Sequence, residues 1–224
     1  MSRGRGAQQF YGRWARLYDL VARATPGIGG LRRRTADALS LAPDDVVVEM
    51  GCGTGANLGY LHDRVGTDGA VVGLDFTRGV LDRARSHAAR QGASKVHVIR
   101  ADATSPPICN ADAVVATFVV GMFSEPGAAV DEWCDRLGPG GRIALLNMTR
   151  SERWYGPVVN VPFRALVLVS TPSKRRLPRN ATEVLDRRVG EAHETLRRRC
   201  VNVVDEEFAF GLVRLSAGTV AEGR

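Results

Sequence analysis

The residues best suited to chemistry gather in one stretch, VVVEMGCGTGA at residues 46–56, and in an acid downstream of it, Asp75. An apolar, β-branched run stops at Glu49, and three glycines, Gly51, Gly53 and Gly55, follow within five positions. A tight turn from strand to helix needs residues that tolerate positive φ, and a ligand can touch backbone only where no Cβ intervenes. The helix expected after the turn offers free N–H groups to a bound group. Asp75 lies twenty-four residues beyond Gly51 and closes the next apolar run, where its carboxylate can accept hydrogen bonds from both hydroxyls of a ribose. Turn, helix and acid together point to a ligand that contains adenosine.

Two details separate a dinucleotide from other such ligands. The spacing is GxGxG, with Ala56 where the dinucleotide fingerprint has its third glycine, and Glu49 stands two residues before the first glycine. A carboxylate there repels a pyrophosphate but suits an ammonium group. S-adenosylmethionine has an amino acid end, a sulfonium and no phosphate, so it is the expected cofactor. No metal is expected: His62, His87, His97 and His193 are scattered, as are Cys52, Cys109, Cys134 and Cys200, which read as reduced thiols.

The elements that position these residues alternate in the manner of parallel strands joined by crossover helices. VVVEM (46–50), VVGLD (71–75), KVHVI (95–99), DAVVAT (112–117) and a run ending near Asn147 read as five strands. Between them, helices place Leu58, Leu61 and Val65, then Val80, Leu81, Ala84 and Ala88 behind Thr77, then Val130, Trp133 and Leu137 on inward faces. A short helix is expected over residues 31–39 and a long one over 181–199, with two final strands forming a hairpin at the sheet edge. The predicted fold class is α/β: a Rossmann-like, seven-stranded, mostly parallel sheet with an antiparallel edge hairpin, helices on both faces and a helical cap. Within a single structural domain, residues 1–40 are expected to form an N-terminal helical lid and 41–148 the cofactor-binding core. Residues 149–199 form a basic and apolar capping segment with the long helix, and 200–224 the hairpin.

Here the sequence also resembles a known family. VVVEMGCGTGANLGYL, GLDFTRGVLDRAR, RADATSPP and DAVVATFVVGMFSEPGAAVDEWCDRLGPGGRIALL are similar, in order and spacing, to the successive motifs of class I S-adenosylmethionine-dependent methyltransferases. With the leading FYGRWARLYDLV, the chain looks most like the branch of quinone-biosynthesis C-methylases and soluble phospholipid N-methylases. The resemblance implies that Glu49 faces the methionine ammonium through water. It implies that the backbone of Gly51, Cys52, Gly53, Thr54 and Gly55 packs on the methionine and ribose, and that Asp75 binds the ribose hydroxyls. Phe76 and Thr77 would then lie beside the adenine, and Asp102 would take its amino group with Ala103 supplying a backbone donor. Thr117 and Phe118 would line the methyl group, and Tyr18 would close from above. No residue compels a general-base role; Tyr18, Asp19 and His193 are candidates through their place in capping segments.

The formal net charge is +7, unevenly spread: +7 over residues 1–34, −5 over 35–149, +7 over 150–199 and −2 over 200–224. Basic flanks admit an anionic small substrate, a membrane surface or RNA. No nucleic-acid module or aromatic stacking platform accompanies the charge, so nucleic acid is not favoured. VVNVPFRALVLV followed by KRRLPR suits an anionic lipid interface, with residues 158–176 making the contact. The expected activity is in-line methyl transfer to a small, lipid-like or quinone-like acceptor. Alternatives are an RNA methyltransferase, an NAD-dependent oxidoreductase or a cofactor-binding regulator without turnover. MSRGRGAQQF lacks the apolar region of a secretory signal, so the expected location is cytoplasmic, free or peripheral at the inner membrane surface.

Overall fold

β-branched runs covered on both sides make the centre of the molecule. The computed structural model describes residues 27–90, 92, 94–170 and 181–222; of residues 166–170 and 181 it describes the backbone alone. Of the expected lid over residues 1–40, residues 1–26, with Trp14, Tyr18 and Asp19, lie outside the described residues, as do Lys174, Arg175 and Arg176.

Five strands run parallel: β1 (Val46–Met50), β2 (Ala70–Asp75), β3 (Val96–Arg100), β4 (Ala113–Thr117) and β5 (Arg142–Met148). The hairpin β6 (Cys200–Phe208) and β7 (Val213–Val220) completes an order β3-β2-β1-β4-β5-β7-β6, with β7 antiparallel to both β5 and β6. The chain order therefore reverses beside β1, where β4 pairs on the side away from β2. Such a switch point opens a crevice at the carboxyl ends of the two strands, and the glycine turn leaves β1 there.

Strand periodicity sorts side chains between two cores. Ile143 and Leu145 of β5 join one face, and Ala144 and Leu146 the other. The second face is covered by α1 (Ile28–Ala38), α2 (Leu58–Val65) and α3 (Arg78–Arg90), whose Ala36, Leu58, Leu61, Val65, Leu81 and Ala84 are buried. The first is covered by α4 (Pro126–Leu137) and α6 (Ala181–Arg199) through Val130, Trp133, Val189, Ala192 and Leu196. Proline at the first position of α4 suits a helix start, where its missing N–H leaves no bond unmade. Gly66, at the end of α2, has φ +62 and ψ −152, a conformation open to glycine that turns the chain out of the helix.

Element boundaries depart modestly from the sequence reading. α1 starts at Ile28 rather than Leu31, and β3 lies one residue later than KVHVI. The apolar stretch beyond β5 is helical, α5 (Gly156–Ser170), with Pro162 inside it. Among the described residues no helix joins β3 to β4; instead the Trp133 indole reaches across, and its Nε1–H donates to the Ala103 carbonyl at 2.7 Å.

Candidate cofactor and acceptor site

The turn after β1 is held by its own backbone. Cys52 N–H donates to Leu74 O at 2.8 Å, tying the turn to β2, and Gly55 N–H donates to Cys52 O at 2.9 Å. The three glycines all have positive φ but serve different ends. A Cβ on Gly51 would lie 2.6 Å from Val119 Cγ2, and one on Gly55 would lie 2.8 Å from Leu58 Cδ1. At Gly53 a Cβ would meet nothing within 4 Å, so this glycine borders open space. Gly51 and Gly55 close the turn against the protein, while Gly53 presents bare backbone outward.

Asp75 stands where β2 ends, clasped between two elements. Its Oδ2 accepts from Gly53 N–H at 3.1 Å and its Oδ1 from Thr77 N–H at 2.8 Å, and the Thr77 hydroxyl bonds to it as well. Partial burial pushes its carboxyl above the usual carboxylate range, opposed by those hydrogen bonds. The carboxylate is thus oriented in advance at the mouth of the turn. Phe76, next in the chain, is 42% exposed. Asp102 follows β3 and accepts from both Thr104 N–H at 2.9 Å and the Thr104 hydroxyl at 2.7 Å, which fixes the loop bearing Ala103.

Glu49 is the most telling group. It is 0% exposed, and its Oε1 accepts from Asn57 Nδ2 and, at 3.4 Å, from the Thr117 hydroxyl. Its Oε2 and the Asn57 Oδ1 are both buried without a hydrogen-bond partner. Burial pushes its carboxyl up to about 7, against the hydrogen bond from Asn57, the charge of Arg32 and the bond from Thr117. Two acceptors buried without donors are unfavourable until a donor arrives. An ammonium group supplies three, so the residues present fit the amino acid end of S-adenosylmethionine. Asn57 escaped the sequence reading as a site residue because a polar side chain at a helix start reads as an ordinary cap. Its amide instead bridges Glu49 to Thr117, donating to Thr117 Oγ1 at 2.8 Å.

Cys52 sits inside the turn, and burial together with Glu49 and Asp75 holds its thiol well above the ordinary value, so it is no nucleophile. Phe118 follows β4 with φ +56 and packs against the core beneath α1 and α2, its N–H donating to Leu146 O at 2.7 Å. Val119, which the sequence reading passed over, seals Gly51 from the other side.

At the carboxyl ends of β4 and β5, α6 acts as a clamp. Gly121 lies in the short 3-10 turn Val120–Met122, and a Cβ on it would fall 2.3 Å from Leu185 Cδ1. Arg188 donates to Gly121 O at 3.3 Å, and Asp186 accepts from Arg150 N–H at 2.9 Å and pairs with the Arg150 guanidinium. His193 lies deeper on the same helix with no exposed surface. Its Nδ1 is 2.6 Å from Ser216 Oγ and its Nε2 is 3.3 Å from Asn147 Oδ1. Burial, reinforced by Arg214 and Arg197, pushes its pKa down to about 3, so the ring is neutral at ordinary pH. Among the described residues no group of three metal-ligating side chains occurs.

Comparison with known proteins agrees with this geometry. The methyltransferase domain family matches residues 47–141. Phosphatidylethanolamine N-methyltransferase of Cereibacter sphaeroides is 33% identical over 157 residues, which are 67% of this chain and 71% of that one. The chain belongs to the class I S-adenosylmethionine-dependent methyltransferase family. Its cofactor is S-adenosylmethionine. Demethylmenaquinone methyltransferase of Clavibacter sepedonicus is 32% identical over 116 residues, 50% of this chain and 45% of that one. Against several other curated relatives the chain spans about half their length or less. A solved methyltransferase from Aquifex aeolicus shares the fold, with a TM-score of 0.62, 16% identity, and coverage of 91% of this chain and 98% of that one.

Proposed function

We propose that this methyltransferase moves a methyl group onto a small, lipid-like or quinone-like acceptor by in-line displacement. The observation that carries the cofactor half is the buried, partnerless Glu49 Oε2 beside a glycine turn and the pre-oriented Asp75. Bound S-adenosylmethionine supplies an already activated methyl on its sulfonium, so the chain's task is alignment. In this reading Glu49 and Asn57 hold the ammonium end, Asp75 takes the ribose hydroxyls, and Asp102 with Ala103 takes the adenine edge beside Phe76 and Thr77. Thr117 and Phe118 line the methyl, and Tyr18 closes over it. His193 has both ring nitrogens engaged inside the core and is assigned a structural role. Tyr18 and Asp19 remain the candidates for any proton removal.

The acceptor half rests on an apolar floor and on kinship with a lipid methylase and a quinone methylase. Gly121 and Met122 occupy the turn after β4, with Leu185 against the first. The membrane surface is where such an acceptor would be met, with residues 158–176 in contact. RNA fits less well, because among the described residues much of the flanking positive charge is spent internally. Arg34 pairs with Glu206, Arg150 with Asp186, Arg153 with Glu207, Arg197 with Asp205, and Arg199 with Asp131 and Asp135.

The test incubates the protein with methyl-labelled cofactor and a cell extract split into lipid, aqueous and RNA fractions. Label in the lipid fraction, lost with Glu49→Gln, is expected. Label in RNA would replace the acceptor, and tight cofactor binding without transfer to any fraction would favour a regulator.

A further inference from the structure

At the carboxyl end of β5 the protein exposes a row of rings that the cofactor site does not use. Trp154 is 91% exposed and Phe210 72%. Trp154 meets Tyr155 edge-on with centroids 5.4 Å apart, and Tyr155 meets Phe210 in the same way at 6.2 Å. Just beyond Tyr155, α5 adds the exposed Val158 and Val161. The row joins two segments distant in sequence: the loop after β5 and the turn between β6 and β7, which register places beside Met148.

The platform under these rings is built rather than loose. Ala209, Phe210 and Gly211 have φ of 50, 60 and 82, a left-handed run that residues with a side chain rarely adopt. A Cβ on Gly211 would lie 3.0 Å from Ser151 Oγ, so the turn sits directly on the loop after β5. Ser151 is itself clasped to α5, its N–H donating to Asn160 Oδ1 at 2.8 Å and its carbonyl accepting from Asn160 Nδ2 at 3.0 Å. Gly156 is held close as well, since a Cβ there would meet Ser151 O at 2.5 Å. Strained backbone that turns a phenyl ring toward water brings the isolated fold no burial in return.

The sequence around the row favours one kind of occupant. From residue 154 to 182 the sequence carries Arg164, Lys174, Arg175, Arg176 and Arg179 and no acid. An exposed tryptophan and phenylalanine with a half-buried tyrosine between them, followed in the sequence by a run of cations without an acid, match the headgroup layer of an anionic bilayer, where aromatic rings settle and cations are attracted. Among the described residues no helix is long and apolar enough to cross a membrane.

We propose that Trp154, Tyr155 and Phe210, with Val158 and Val161, form an insertion ridge that seats this protein in the headgroup layer of a bilayer containing anionic phospholipid. The proposal rests on the lipid-like acceptor reading and gives such an acceptor its route: the ridge lies at the same end of the sheet as the cofactor turn.

The experiment is co-sedimentation with vesicles of phosphatidylcholine alone or with phosphatidylglycerol, at low and high salt. It compares wild type with a Trp154→Ser, Phe210→Ser double variant, and cofactor calorimetry serves as the control for folding. Wild type is expected to bind the anionic vesicles at low salt, with about tenfold loss in the double variant and release by salt. Tryptophan emission should shift to the blue on binding, a shift that Trp154→Phe lacks. Failure of wild type to sediment, or equal binding by the double variant, overturns the ridge. So does a concentration-dependent dimer lost in the double variant without vesicle binding, which would assign the rings to a second copy. Transfer to a detergent-dispersed extract separates the two readings: its absence with vesicle binding intact supports the ridge and removes the acceptor, and its presence without vesicle binding removes the ridge alone.

Discussion

A fully buried carboxylate with one bare oxygen is poorly stabilised by the protein around it, and Glu49 is in that position. Its carboxyl is raised to about 7, so near neutrality the cofactor-free protein is partly protonated there. In the proposed reading Glu49 holds the ammonium in its ionised form, so cofactor affinity should fall below pH 7, approaching about tenfold per unit. Calorimetry across pH 5.5–8 checks this, and Glu49→Gln should bind more weakly with a flatter profile. Asp75→Ala should weaken cofactor binding by roughly 1–3 kcal/mol, the scale for removing one partner of buried polar groups, and by an affinity loss readable in the same titration. Wild-type affinity in that variant would remove its assignment. Both acids were legible in sequence, because each follows a β-branched run and precedes a turn. Asn57 was not: its role depends on which way an amide points inside a folded site.

The missing helix between β3 and β4 gives Trp133 an unusual task at the level of elements. Its ring fills core beneath the sheet, meets Phe123 edge-on, and fixes the Ala103 loop through Nε1–H. Trp133→Phe should destabilise the protein by about 1–3 kcal/mol, from the lost hydrogen bond and the space left behind, seen as a lower urea midpoint with unchanged slope. It should also weaken cofactor binding, since Ala103 is proposed to meet the adenine. The clamp of α6 offers a second check. Asp186→Ala removes the partner of Arg150 and of its backbone N–H, and amide exchange should quicken in the loop after β5 while β1 and β4 stay protected. Periodicity made α2, α3, α4 and α6 readable. It left α5 unassigned because its residues are apolar on several sides and interrupted by Pro162, so no single face stands out.

Over the whole molecule, two buried titratable groups oppose each other. His193 is lowered from 6.5 to about 3 by burial, so the unfolded chain takes up a proton there that the fold refuses. Its contribution to stability is complete above pH 6.5 and is lost as pH falls toward 3. Glu49 is raised from 4.5 to about 7, so the fold holds a proton that the unfolded chain has released. That contribution is complete below 4.5 and is lost as pH rises through 7. The cofactor-free protein should therefore show a muted pH dependence between 4.5 and 6.5, and Glu49→Gln should expose a steeper loss toward acid. Urea midpoints over pH 4–8 for the two proteins test it, and parallel curves would contradict it.

The strands and helices of the parallel core, the glycine turn and its acids were written locally: β-branched runs, glycine spacing and helical faces depend on near neighbours in the chain. The family followed from those same motifs. What needed the tertiary structure were relations across long separations. His193 looked available in a capping helix, and only the packing of α6 on β5 and β7 encloses it between Asn147 and Ser216. The basic flanks looked like free charge, and only the fold pairs Arg34 with Glu206 and Arg153 with Glu207. Trp154 and Phe210 stand fifty-six residues apart, and no local pattern connects them; the antiparallel pairing of β5 with β7 does.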